Sequence, residues 1–215
     1  MKLENAYQGV KKIFTAEILA LIATICSTIV LLFTVTTIAS VNAKSAAGAA
    51  ASLGGLTIFG LAAGVLAIIG FIFQILGINA ASKDEPSFKT ALYLIIAGII
   101  VAVVGAFFNN QIVKTVFTAA SDIISLFITI TIINGVCKLA ERVGNTDVQQ
   151  KGVNILKLII AMYVIIIIAR IISAIFTGTG GAAVAGVFIV IAGVISIVQY
   201  VLYLMFLKKG RDMLA

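Results

Sequence analysis

The chain has no histidine and no tryptophan, one proline and two cysteines among 215 residues, and only 11% of it is charged. Each shortage removes a class of chemistry. Without histidine there is no imidazole to move protons near neutral pH, no HExxH zinc site and no histidine-ligated haem. Cys26 and Cys137 fall at different depths of the apolar blocks described below. Their separation along the helix axis is roughly a dozen residues, about 18 Å, too far for a disulfide or a shared thiolate metal site. No G-x-x-x-x-G-K-[ST] occurs, so the chain carries no phosphate-cradling ATPase loop of its own. Neither a G-x-S-x-G elbow nor the D-x-x-D-G cluster of membrane phosphotransferases is present, and no serine has an evident base. These absences argue against an enzyme and imply no metal and no cofactor.

What the sequence has in excess is apolar length. Hydrophobic residues make up 62% of it and the mean hydropathy is +1.23. A soluble domain is nearer half apolar and a quarter charged, because it must present a wettable surface. The apolar residues fall into six blocks, 13–38, 55–79, 89–108, 115–137, 153–176 and 184–207. Each is about as long as the twenty or so helical residues that cross a hydrocarbon core of about 30 Å. Period-2 alternation is absent and the blocks exceed barrel-strand length, so the blocks are predicted as helices. The expected fold is an all-α integral membrane protein, one domain, a compact bundle of six transmembrane helices with short loops. The weakest boundary is the turn at Asn109, Asn110 and Gln111; without it the count would be five.

Positive charge orients the bundle. Lys2, Lys11, Lys12, Lys83, Lys89, Lys138, Arg142, Lys151, Lys208, Lys209 and Arg211 all fall on the side that holds both ends, against Lys44 and Lys114 on the other. Both termini are therefore expected in the cytoplasm, and the short loops suggest a prokaryotic plasma membrane. The net charge of +7 follows from this asymmetry, so the expected partner is the lipid bilayer and neither nucleic acid nor nucleotide. Tyr7, Tyr93, Tyr200 and Tyr203 cluster near the same face, as an interfacial belt would. The first block is too long, and contains Glu17, for a cleaved signal peptide, so it is read as helix 1.

Local signals punctuate the blocks. Leu3, Tyr7 and Val10 stand in register with Phe14, which predicts an amphipathic stretch at the membrane surface leading into helix 1. Pro86, in the turn 81–88 (ASKDEPSF), is placed to start helix 3. Gly144 and Asn145 suit a helix stop, and Thr146 with Gln149 has capping-box spacing for a new start. The two long outer connections, 41–55 and 177–186, are built of little but Ala, Gly, Ser and Thr. Each leads into a helix carrying an Ala-Gly pair, Ala63-Gly64 and Ala192-Gly193, which hints at two related hairpins. The stretch Gly178-x-Gly180-x-x-Ala183 matches a dinucleotide pattern, but it links two membrane helices with no strand before it and is rejected.

Two kinds of residue carry functional meaning. Glycines at helical spacing, Gly60 with Gly64, Gly98 with Gly105 and Gly186 with Gly193, let helices approach closely where lipid supplies no hydrophobic drive. They predict packing within the bundle or against another copy or a membrane-protein partner. Ionisable residues inside the blocks are costly at the bilayer centre unless paired or hydrated. Asp122 lies about 10 Å below the outer start of helix 4 and Arg170 about 9 Å below the outer end of helix 5, so the two reach one level. They are expected to form an intramembrane ion pair or to line a path. A second polar layer, Glu17 and Lys157 with Gln74 and Gln199, is expected at the cytoplasmic side. The first expectation for function is an accessory or scaffold subunit acting through helix–helix contacts. The alternative is a small channel or secondary transporter with a polar path near Asp122, Arg170 and Glu17. A cavity reaching those side chains would favour the second, and a dry, closed bundle the first.

Overall fold

The apolar blocks are helical, and the helices outrun them. The computed structural model describes the backbone at residues 3–42, 46–108, 111–178 and 182–215, and side chains at 3–27, 29–30, 57–108, 113, 116–169, 172 and 194–215. Among the described residues there are six helices and no strand: α1 (Glu4–Asn42), α2 (Ala46–Ala81), α3 (Ser87–Ala106), α4 (Gln111–Arg142), α5 (Thr146–Gly178) and α6 (Ala182–Leu214). Among the described residues, four segments are long and apolar enough to cross a membrane: Thr57–Ala81, Ser87–Ala106, Val116–Arg142 and Thr146–Ala169. Much of the apolar part of α1 and α6 falls outside the described side chains. Large apolar side chains point outward, among them Phe107 (81% exposed) and Val116 (62%). Water would penalise such a surface and hydrocarbon does not.

The chain divides into two units, residues 12–77 and residues 1–11 with 78–215. In the larger unit, glycines set the helix register. A Cβ on Gly135 of α4 would lie 2.6 Å from the buried ring of Phe88 on α3. One on Gly98 would lie 3.3 Å from Ile124, and one on Gly105 2.8 Å from Phe117. These three contacts step in opposite directions along the two helices, so α3 and α4 form an antiparallel hairpin. Just past the end of α3, Phe108 stacks on Phe117 of α4 with ring centroids 5.4 Å apart. The same logic joins α4 to α5 at Cys137 and Gly152, α5 to α6 at Gly152 and Phe206, and α4 to α6 at Val136 and Gly210. Both cysteines are free.

The helix ends differ from the expected edges for identifiable reasons. The turn foreseen at 138–152 shrinks to three residues, Val143 to Asn145, because Lys138, Arg142, Asp147 and Lys151 are acceptable helix formers once outside lipid. Gly144 has φ +71°, and the Asn145 N–H reaches the Ala140 carbonyl oxygen at 2.8 Å while the Gly144 N–H reaches Glu141 at 3.1 Å, a Schellman stop. The cap of α5 is Asn145, whose Oδ1 accepts from the Val148 N–H at 3.1 Å; Thr146 is already the first helical residue. The Ala/Gly-rich stretch 41–55 is helical from Ala46 onward. Helix α1 begins early, at Glu4, as the amphipathic pattern predicts, and Leu3, Ala6 and Val10 at its start are buried within the larger unit. Pro86 sits just ahead of α3, as its missing N–H favours.

Candidate functional site

The register of α4, α5 and α6 fixes which polar side chains meet. Taking Cys137 opposite Gly152, Asp122 falls opposite residue 167 of α5; taking Val136 beside Gly210, it falls beside residue 196 of α6. A cavity of about 180 Å³ occupies that level, lined by Asp122 from α4, Tyr163, Ile166 and Ile167 from α5, and Ser196, Gln199 and Tyr200 from α6. Ile166 and Ala169, both buried, pack against Ile195. The wall is thus one carboxylate, one amide and three hydroxyls set among isoleucines. Gln199 Oε1 is buried and has no hydrogen-bond partner among the described residues. An acceptor left in that state costs about 1–3 kcal/mol, so it calls for a donor. The volume suffices for several waters at about 30 Å³ each, or for a small polar solute.

Arg170 lies three residues beyond the level of Asp122 along α5, about 4.5 Å of rise. Its side chain falls outside the described residues, as do Gly186 and Gly193. The expected Asp122–Arg170 contact therefore lies outside them too.

In the smaller unit a second cavity, of about 410 Å³, opens between α1 and α2. Its facing stripes are small: Ala16, Ala20 and Ala23 on α1 against Ala63, Ala67 and Gly70 on α2. Small residues at four- and three-residue spacing leave room between helices that larger ones would fill. At one end Glu17 is buried at 9% exposure and accepts from Gln74 Nε2 at 3.4 Å. Lys157 and Gln199, expected in the same layer, belong to the other unit; Lys157 is exposed and Gln199 lines the cavity beside Asp122. A Cβ on Gly60 or Gly64 would meet nothing within 4 Å, whereas Gly98 and Gly105 sit in the close α3–α4 contact.

Two features escape the sequence reading. Tyr200 lines the cavity and Tyr203 is 5% exposed, so these tyrosines face protein rather than an interface. The most completely buried carboxylate is Glu85, in the turn that precedes α3. Arg142 Nη2 pairs with its Oε2 at 2.6 Å, and Lys138 Nζ stands 3.7 Å from Oε1. The same Oε1 accepts from the Ser87 hydroxyl at 2.8 Å and the Ser87 N–H at 3.2 Å, capping α3. Beside it Asp84 accepts from the Ala6 N–H at 2.7 Å and Asn5 Nδ2 at 3.2 Å, capping α1. Two acidic residues before the lone proline thus tie three helix ends together. The available signal was Lys138 and Arg142, four apart at the end of α4 and level with that turn in an α3–α4 hairpin.

No family model matches the chain. No curated protein matches it, and no solved structure matches it either.

Proposed function

We propose that this chain is a non-enzymatic membrane protein of six spans that passes a small polar solute, as a channel or secondary carrier, along a path reaching Asp122. The observation that supports this reading is the cavity at Asp122, Tyr163, Ser196, Gln199 and Tyr200. A staple between helices would exclude water and satisfy every polar group; here a buried amide oxygen, that of Gln199, has no hydrogen-bond partner among the described residues. The α1–α2 cavity at Glu17 and Gln74 supplies a second polar opening of the same kind. Cations gathered toward one end of the hairpins support termini in the cytoplasm, with the plasma membrane as the site of action.

The test is solvent access at residue 122. An Asp122→Cys protein in which Cys26 and Cys137 are alanine is treated with a small, charged, impermeant thiol reagent. Rapid modification, within seconds to minutes, is expected if water reaches that depth. A folded protein that resists modification leaves a dry contact and returns the chain to the scaffold reading. One observation favours that second reading: Gly60 and Gly64 stand on an open face of α2 beside Ile58 and Leu61, both about two-thirds exposed, where another helix can approach.

A further inference from the structure

The two helices of the smaller unit touch closely at one level and leave a gap beside it. At Gly70 of α2 an added Cβ would lie 3.2 Å from the Ala16 carbonyl oxygen and 3.4 Å from Leu19 Cβ of α1. Next to that contact stand Ala20 and Ala23 on α1 and Ala67 and Ala63 on α2. Their methyl groups do not fill the space between the helices, and a cavity of about 410 Å³ remains. A cavity of about 150 Å³ already holds a benzene ring. This one has room for a ring that carries a substituted head group.

The wall of this cavity has a sign. Glu17 is buried at one end, and its carboxylate accepts from Gln74 Nε2 at 3.4 Å, a long hydrogen bond from a group without charge. Thr24 donates its hydroxyl back to the Ala20 carbonyl oxygen at 2.8 Å, so that proton is not held out to a ligand. Among the described residues that line the cavity there is no lysine or arginine. An anion would meet the carboxylate with little to offset the repulsion. A small neutral solute would find few polar partners along walls of alanine and glycine. A cation with an apolar body suits both parts of the wall. Its charge lies against Glu17, in surroundings that screen the attraction less than water does, and its body covers the alanines. The Phe71 ring, also on the wall, adds an aromatic surface that favours a cation.

We infer that the α1–α2 cavity binds an organic cation, a quaternary or protonated amine with an apolar body, and that Glu17 is its counter-charge. The site lies within the smaller unit and stands whether or not a path reaches Asp122. Equilibrium dialysis of the full-length protein in nonionic detergent tests it with two probes. One is benzyltrimethylammonium; the other is benzyldimethylamine N-oxide, which has nearly the same shape and no net charge. The wild type is expected to bind the cation at least about tenfold more tightly than the N-oxide. Glu17→Gln, which keeps the size and an acceptor for Gln74, is expected to weaken the cation about thirtyfold and leave the N-oxide unchanged. Glu17→Asp is expected to retain the preference for the cation, and Glu4→Gln, an exposed carboxylate on the same helix, to change neither probe. A wild type that binds neither probe, or both equally, overturns the recognition of charge. Undiminished cation affinity in Glu17→Gln overturns the site, and its loss in Asp122→Asn instead would move the cation to the other cavity.

Discussion

Arg142→Ala is expected to destabilise the protein by about 3 kcal/mol, and Glu85→Gln by only about 1 kcal/mol, although the two residues form one ion pair. The asymmetry follows from burial. The Glu85 side chain is 2% exposed, whereas those of Arg142 and Lys138 are 44% and 58% exposed. Removing the arginine strands a buried carboxylate with one more distant cation. Removing the glutamate's charge leaves two cations that can turn to water, and the glutamine keeps an oxygen to accept from Ser87 at the start of α3. The double variant is expected to be less damaged than Arg142→Ala alone, because no buried charge then remains unpaired. Unfolding midpoints in detergent titrated with SDS measure all three. An Arg142→Ala protein as stable as Glu85→Gln would show that Glu85 is not desolvated in the folded chain. The same pair bears on how the chain is held together: Arg142 also donates to the Asp84 carbonyl oxygen, so its loss loosens the turn whose Asp84 carboxylate caps α1.

Hydropathy reports which residues lipid accepts, and this explains both what the sequence made legible and what it hid. The cores of α2 to α5 were visible because unbroken apolar length has few other physical meanings. Their ends were not, since Lys, Arg, Gln and Glu continue a helix as readily as leucine does once the chain leaves the hydrocarbon. Gly144 was legible as a stop because a positive φ needs a residue without Cβ, and its φ of +71° follows that rule. The cap one residue later was misread: capping-box spacing pointed to Thr146, but Asn145 already projects its side-chain oxygen back to Val148.

Glu85 was hidden for a different reason. An Asp-Glu-Pro turn looks like a solvated loop, and only the pairing of α3 with α4 brings Lys138 and Arg142 over it. Position along the apolar block singled out Asp122 but not its company, because position is read along a helix and company depends on rotation about it. Tyr200 shows the limit: as a tyrosine near a helix end it suggested an interface, and rotation places it on the cavity wall.

Gly152→Ala is expected to lower stability by about 2 kcal/mol, a large loss for adding one methyl group to a helix. On propensity alone the change would help, because alanine is the better helix former by about 1 kcal/mol. Geometry decides against it. The new Cβ would lie 2.2 Å from Cys137 Sγ and 3.0 Å from two ring atoms of Phe206, so α5 would be pushed from α4 and α6 together. Phe206 is 1% exposed and has nowhere to turn, and Cys137 has a single short rotor. In a membrane the lost close packing is not recovered by a hydrophobic drive between helices. Relief should therefore come from the sulfur: Cys137→Ala with Gly152→Ala is expected to recover more than half of the loss, while Cys137→Ala alone changes little. Thermal melting in detergent of the three proteins checks this. A double variant no better than Gly152→Ala would make the Phe206 ring, rather than the thiol, the group that requires glycine at this crossing.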